Sequence, residues 1–397
     1  MTFFEKPILI VGAGPVGLTL AWLLNEAGIN VRLFEAEEKI SNQLRASTFH
    51  PPTLDLFDDS GISKTLHEYG QITPTWQIRM HETGEFAEFD LGVLERDTKH
   101  PYRLQCRQEI LSQALYARIP EEVCLFSHPI EKITQDDDGV CVWSKQIEFE
   151  GSLVIGCDGA RSIVRQEMGT SFDGETYPET TILLTTKFPF ENYFPNLSGV
   201  NYIWREGGTF SLLRLPDLWR VSLYPAEGQS AEEAFENSSI RAQLTTIFEE
   251  GKHVDVIEKR IYKIHRRVAK TYRKKRLLIA GDAAHLNSPK GGMGMNGGIH
   301  DAWCLAQKLI AIKNGLAIDV LNEYERQRRP IAVEDIGGQS HKNRARMMSS
   351  SSAERLKHLR ELQEISESYE KSRLFLLESS MIERLKRSET LIRKNQL

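Results

Sequence analysis

The stretch from Ile8 to Glu35 constrains the fold more than any other. Ile8-Leu9-Ile10-Val11 is a short apolar run suited to a strand buried on both faces. Gly12-Ala13-Gly14-Pro15-Val16-Gly17 follows at once, and Leu18 to Leu24 reads as an apolar helix that stops at Gly28. Val31-Arg32-Leu33-Phe34 begins a second strand, which ends on Glu35. Strand, G-x-G-x-x-G, helix, strand and acid, in that order, are what a dinucleotide site requires. Gly12 permits the tight turn, Gly14 lets a pyrophosphate approach the backbone, and Gly17 lets helix and strand pack closely. The helix N-terminus favours the anion, and Glu35 can accept hydrogen bonds from a ribose diol. Gly12, Gly14, Pro15, Gly17 and Glu35 are therefore candidate cofactor-binding residues. The motif alone leaves NAD and FAD both open.

The chain of 397 residues can bury a large core and is expected to hold two intimately packed domains. At 40% hydrophobic and 26% charged it reads as an ordinary globular protein, and a net charge of −5 gives no reason to expect nucleic acid as a partner. No apolar run approaches the length of a membrane span, and the N-terminus runs straight into the first strand, so no signal peptide is expected. Cys106, Cys124, Cys141, Cys157 and Cys304 lie scattered without metal-ligand spacing, which predicts reduced thiols, no metal and a cytoplasmic location.

Two further strands run into acidic turns. Leu153-Val154-Ile155-Gly156-Cys157-Asp158-Gly159 leads to Ser162 and Arg165, three apart on one side of a short helix. Leu277-Leu278-Ile279-Ala280-Gly281-Asp282 leads through Pro289-Lys290-Gly291-Gly292-Met293-Gly294-Met295-Asn296-Gly297-Gly298 into a helix expected over 299–313. Gly292 to Gly297 also fits G-x-G-x-x-G, but it follows a loop and no strand ending in an acid comes after its helix. A second nucleotide domain is therefore rejected. Glycines before a helix present bare N–H groups to an electron-rich ligand edge. Between these motifs, Gln77–His81 and Phe86–Asp90 read as a hairpin, and aromatic strands between Thr181 and Pro225 suggest a second sheet.

Together the three stretches resemble the FAD-dependent class A aromatic monooxygenases of the p-hydroxybenzoate hydroxylase type. The resemblance rests on Gly12-x-Gly14-x-x-Gly17 with Glu35, Asp158-Gly159-x-x-Ser162-x-x-Arg165, and Gly281-Asp282 with Pro289-x-x-Gly292-x-Gly294-x-Asn296-x-Gly298-x-x-Asp301-Ala302. It implies noncovalent FAD, with the ADP part on the first motif and the flavin-side ribose on Asp282. Asp158 and Gly159 would serve both FAD and NAD(P)H, and Gly292, Gly294, Met295 and Asn296 would cradle the flavin ring. Arg45 and Arg107 stand where family members carry flavin contacts. NADPH or NADH would act as transient co-substrate, and a flavin C4a-hydroperoxide would hydroxylate a small aromatic or N-heteroaromatic ring.

Pro289, Arg214, Tyr202 and Tyr224 are the catalytic candidates, with His81 a further possible base. The implied fold is α/β: a Rossmann-like FAD-binding domain (1–75, 101–180 and 265–340) interleaved with a mixed or antiparallel β-sheet substrate domain (76–100 and 181–264). A C-terminal helical segment (341–397), basic and amphipathic, is expected to be a cap or dimer helix rather than a membrane-surface element, on a monomer or homodimer. The basic run 270–276 is either a solvated strand entry or a place for NADPH phosphates. A halogenase lacks support because no W-x-W-x-I-P run is present. An FAD-binding redox sensor that uses the basic tail as its contact surface stays open at this level.

Overall fold

The computed structural model describes residues 4–43, 45–226, 228–288, 291–337 and 352–391. Two sheets organise them. The first has six strands in the spatial order Arg273–Lys274, Leu277–Ile279, Leu153–Gly156, Ile8–Val11, Val31–Phe34 and Cys124–Leu125. Ile8–Val11 lies at its centre, parallel to Leu153–Gly156 on one side and Val31–Phe34 on the other. All four of its residues are buried, as a strand covered on both faces demands.

Helix Pro15–Glu26 packs on this sheet beside the long helix Met293–Lys313. That long helix starts six residues earlier than the sequence suggests. Gly292 sits in the left-handed region at its N-cap, which lets the helix begin inside the glycine run. Gly298 is accommodated because a Cβ there would lie 2.6 Å from Val16 Cγ2 and 3.1 Å from the Gly281 Cα. Close packing, and not helix propensity, selects glycine at that position.

The second sheet has eight strands: His285–Leu286, Glu258–Ala269, Phe172–Thr186, Trp219–Leu223, Gly208–Arg214, Val200–Arg205, Thr75–Met80 and Phe86–Asp90. The predicted hairpin is present, with Arg79 opposite Phe86. The long strands Phe172–Thr186 and Glu258–Ala269 run straight through the boundaries expected at 180/181 and 264/265. They physically join the two halves. A small sheet of Thr48–Phe49, Arg103–Gln105 and Gln71–Thr73 fills the junction.

The eight-stranded sheet has two different faces. Ile182, Leu184, Ile203, Phe210, Trp219, Val221 and Leu223 pack under helices Ala231–Phe235 and Asn237–Ile247 through Ala234, Ile240 and Leu244. On the opposite face, Trp76, Phe89, Val200 and Trp204 meet Leu359, Leu362, Leu376, Leu377 and Ile382. These last five residues belong to the C-terminal helices Ser352–Glu367, Tyr369–Ser379 and Ile382–Thr390. Phe375 stacks on both Trp76 and Phe89, with ring centroids 6.0 and 4.7 Å away. The C-terminal segment is thus a cap over the second sheet. No helix among the described residues is long and apolar enough to cross a membrane.

If that cap is held by burial, Leu376 (0% exposed) and Leu374 (66% exposed) should respond differently to truncation. Leu376→Ala is expected to cost about 2–4 kcal/mol and Leu374→Ala less than about 0.5 kcal/mol. Denaturant unfolding of the two variants beside the parent provides the comparison.

Candidate active site

The three glycines of the first motif have three separate physical reasons. Gly12 has φ +102°, and a Cβ there would lie 2.5 Å from the Cys157 carbonyl oxygen. A Cβ on Gly17 would drive into the Gly12 carbonyl oxygen. Gly14 would meet nothing within 4 Å. Gly12 and Gly17 therefore close the turn against the chain at Cys157, and Gly14 leaves open space beside the backbone. Helix Pro15–Glu26 has no side-chain cap at Gly14, so its first N–H groups stay available to an anion. Glu35 Oε2 accepts from the Ala13 N–H at 2.7 Å, which fixes the carboxylate beside that turn.

Asp158 ends its strand with Oδ2 accepting from Ile163 N–H at 2.7 Å and Oδ1 buried without a protein partner. Burial raises its carboxyl above the usual range, and hydrogen bonds from the following turn oppose the rise. Gly159 (φ +76°) faces open space. Ser162 caps the short helix Ile163–Met168 by accepting from Arg165 N–H. Arg165 then bridges two motifs, donating to the Ala160 oxygen at 2.7 Å and the Ala283 oxygen at 2.8 Å. Its guanidinium carbon lies 3.9 Å from the Phe172 ring centroid.

Val16 is the meeting point of the first and third motifs. Its side chain occupies the space that Cβ atoms on Gly281 and Gly298 would fill. Beside it, Asp282 is open to solvent although many protein atoms crowd around it, as on the wall of an open cleft. That crowding raises its carboxyl, against the pull of His285 and Arg45. The exposure is the better guide to its availability, because the carboxylate faces the cleft. Gly294 has nothing within 4 Å of a built Cβ. With Gly292 as N-cap, the N–H groups of Met293, Gly294 and Met295 lack intrahelical acceptors.

Asn296 is committed elsewhere. Its side chain donates to the Thr48 oxygen at 2.9 Å and the Gly292 oxygen at 2.7 Å, and accepts from His50 N–H at 3.0 Å. It clamps the glycine loop to the Ser47–His50 segment, which leaves only its backbone for a flavin. Arg45 is exposed near Asp282. Arg107 pairs with Glu109 and Glu258 at 3.5 Å each. Pro289 lies outside the described residues.

Strand register separates the remaining candidates. Tyr202, Ser211 and Ser222 form one rung across three strands, so Tyr202 shares a face with Arg220, Ser222 and Tyr224. This face looks toward the segment that enters the small junction sheet, since Arg220 Nη1 donates to Ser47 Oγ at 2.7 Å. Burial lowers Arg220 to about 10 and raises the Tyr224 phenol, whose hydroxyl interacts with Thr181. Arg214 and His81 face the other way. Arg214 pairs with Glu191 at 2.6 Å beside Trp219, and His81 packs against Phe194 and Phe210 under the outer helices. An odd number of residues from the inward-facing positions turns both away from the cleft. Within the basic run 270–276, Arg273, Lys274 and Arg276 donate to Asn322, Met168 and Ser152 at the sheet edge, while Lys270 and Lys275 are exposed.

One hub escapes sequence reasoning. Asp301, fully buried, accepts from Gly281 N–H at 3.1 Å, His285 Nε2 at 2.7 Å and Arg328 Nε at 2.6 Å. Its place in the glycine pattern is visible in the sequence, but nothing there marks Arg328 as its partner.

A match to the FAD binding domain model covers residues 5–336. Over 370 residues the chain is 31% identical to para-nitrophenol 4-monooxygenase of Pseudomonas sp. strain WBC-3, which covers 88% of this chain and 89% of that one. The chain belongs to the FAD-dependent aromatic monooxygenases. It is 30% identical, over 85% of its length and 88% of the relative's, to 6-hydroxy-3-succinoylpyridine 3-monooxygenase HspB of Pseudomonas putida strain DSM 28022 / S16. The crystal structure of p-nitrophenol 4-monooxygenase PnpA from Pseudomonas putida DLL-E4 superposes with a TM-score of 0.86 at 29% identity, covering 96% of this chain and 98% of PnpA. The chain is thus an FAD-binding flavoprotein that hydroxylates an aromatic substrate with NAD(P)H and O2.

FAD bound over the open glycine positions would be sensitive to a single added methyl group. Gly14→Ala and Gly294→Ala both put a methyl group where no protein atom stands and where φ is not strained. Each variant should keep the parent's melting temperature and lose FAD affinity at least about tenfold, since a ligand atom and not the protein would meet the methyl. Thermal melting of the apoprotein and FAD titration separate the two effects.

Stability should also depend on pH through His300, which burial lowers to about 3 while it bonds Thr53 Oγ1 at 3.0 Å. Its folded value lies below the unfolded one, so the unfolded chain takes up the proton first and stability falls on acidification. The loss begins near pH 6.5, with a limiting slope of about 1.4 kcal/mol per pH unit. His300→Gln should lose less stability between about pH 6.5 and pH 4 in paired denaturant titrations.

Proposed function

We propose that this monooxygenase hydroxylates a small ring that already carries a hydroxyl group, a phenol or a hydroxypyridine. The near-full-length similarity to two enzymes named for p-nitrophenol and 6-hydroxy-3-succinoylpyridine carries this reading, because both compounds are hydroxylated rings. The amphipathic inner face around Tyr202, Tyr224 and Arg220 supports it, since a flat hydroxylated ring needs apolar walls and a few fixed polar groups. Noncovalent FAD is in keeping with the open glycine positions. Five free thiols suit a reducing compartment, and we assign the cytoplasm.

In this reading Gly12, Gly14 and Pro15 present the backbone to the pyrophosphate, and Glu35 and Asp282 accept from the two ribose units. Asp158 and Gly159 border the cofactor from the second strand. The uncommitted N–H groups at Met293, Gly294 and Met295 face the electron-rich edge of the flavin, with the helix dipole behind them. Once reduced by NADH or NADPH, the flavin supplies the activation of O2. The protein orients the aromatic ring and excludes water, the latter through the C-terminal cap over the inner face.

FAD-loaded protein should oxidise NADH or NADPH slowly alone and at least about tenfold faster with a suitable phenol or hydroxypyridine, with a hydroxylated product detected by mass spectrometry. A panel of non-hydroxylated aromatics serves as the comparison, and equal stimulation by these would remove the ring-hydroxyl requirement. Glu35→Ala should weaken FAD retention about ten- to a hundredfold, the loss of a charged acceptor being worth about 1.5–3 kcal/mol.

A further inference from the structure

Three nitrogen-bearing side chains from three separate elements gather at the glycine-loop end of helix Met293–Lys313. Phe49 pairs with Leu104 in the small sheet, so His50 and Arg103 continue the same ladder by one step. His50 is 0% exposed and Arg103 3%. The third, Arg384, is 2% exposed and reaches from the C-terminal helix Ile382–Thr390 to Met293 Sδ at 3.0 Å.

His50 has a defined tautomer. Its Nε2 lies 2.7 Å from the Gly291 carbonyl oxygen, which can only accept, so Nε2 carries the proton. In the neutral ring Nδ1 is then a bare acceptor, and it is buried without a protein partner. The ring stays neutral because burial, then the charge of Arg103, and more weakly Arg384 and His300, depress it well below the ordinary histidine range. The Gly291 carbonyl opposes them.

Arg103 is equally incomplete. Its Nε is buried with no partner, its guanidinium carbon lies 5.0 Å from the Trp76 ring centroid, and the Tyr202 hydroxyl interacts with it. No carboxylate pairs with Arg103 among the described ion pairs, whereas Arg384 meets Glu378 at 3.0 Å. A buried acceptor calls for a donor, and a buried unneutralised cation calls for an anion. A ring hydroxyl meets both demands, as O–H before proton transfer and as oxyanion after it.

Building on the phenol reading above, we propose that His50 Nδ1 accepts the proton of the substrate's ring hydroxyl, and that Arg103, with Arg384 from the C-terminal cap, holds the resulting oxyanion. The O–H bond breaks, the electron pair stays on oxygen, and an N–H bond forms at Nδ1. No redox change occurs in this step. The oxyanion offsets the Arg103 charge, which together with burial otherwise excludes a proton from the imidazole. The ring becomes electron-rich only when seated, and the C-terminal segment supplies part of the site instead of merely covering it.

4-Nitrophenol tests this directly, because its phenol and phenolate forms absorb at different wavelengths. FAD-loaded protein is mixed with 4-nitrophenol without NAD(P)H, at a pH about one unit below the free phenol's midpoint, and difference spectra are read with proton release to an indicator dye. The parent should show bound phenolate with almost no proton released, since the proton moves to His50. His50→Gln should release about one proton for each phenolate formed. Arg103→Gln should show protonated phenol at the same pH, and Arg103→Lys should recover part of the phenolate band. Arg384→Gln should act in the same direction as Arg103→Gln, less strongly.

Bound phenol that stays protonated in the parent, full proton release by the parent, or failure of 4-nitrophenol to bind each overturns the proposal. NAD(P)H oxidation by the same samples keeps the two readings apart. Stimulation by ring hydroxyl compounds with any of those three results removes only the base and oxyanion assignments. No stimulation by any hydroxylated ring removes the phenol reading itself. FAD content equal to the parent's qualifies each variant, and the parent measurement stands without any variant.

Discussion

A single buried carboxylate ties the Gly281 turn and His285 to helix Met293–Lys313 and to Arg328. Asp301 touches the Gly281 turn, His285 and Arg328 at once, and none of it reaches solvent. Arg328 carries the connection onward to the Gly297 oxygen and to Ser388 Oγ on the C-terminal helix Ile382–Thr390. Burial alone would raise an isolated carboxyl, yet His285 and Arg328 hold Asp301 well below the usual carboxylate range. His285 is correspondingly raised by Asp301 against its own burial. Pairing therefore wins over desolvation on both partners. A network of this kind is costly to break on one side, because it leaves a charge buried without compensation.

The rest of the cleft is shaped by where side chains are missing. Val16 fits into notches at Gly281 and Gly298, which brings the first and third motifs into contact. Arg165 ties the second motif to the Ala283 carbonyl. Within the three motifs, Gly14, Gly159 and Gly294 are the glycines with no protein atom within 4 Å of a built Cβ. A turn that must pack tightly and a turn that must admit a ligand both select glycine, for opposite reasons. On the other side, the eight-stranded sheet sends alternate residues outward under helices Ala231–Phe235 and Asn237–Ile247 or inward under the C-terminal helices.

Much of this was legible in the sequence. The first strand, its glycine turn and Glu35 follow from local rules, since a strand buried on both faces and a tight turn each have a compositional signature. Strand alternation was legible within a segment, but not which parity faces the cleft. Tyr202 and Tyr224 therefore could not be told from Arg214 and His81, whose orientation depends on pairing across Ser211 and Ser222. The start of helix Met293–Lys313 was obscured because its glycines are chosen by contacts with Thr48 and Val16, far away in sequence. Asn296 resembles a ligand contact locally, whereas its partners are 246 and 248 residues distant. Arg328, Arg103 and Arg384 carry no motif, and only tertiary packing gives them meaning.

The C-terminal cap, the glycine helix and the Gly281 turn are all anchored on Asp301, although this side chain cannot touch a ligand. The most direct test of that dependence is the FAD affinity of Asp301→Asn, measured by fluorescence titration on protein whose circular dichroism matches the parent. Affinity reduced at least about tenfold, worth about 1.4 kcal/mol or more, is the result expected if the buried carboxylate sets the cleft geometry. Affinity equal to the parent's would contradict it, and would mean that the glycine turns hold their shape without the hub.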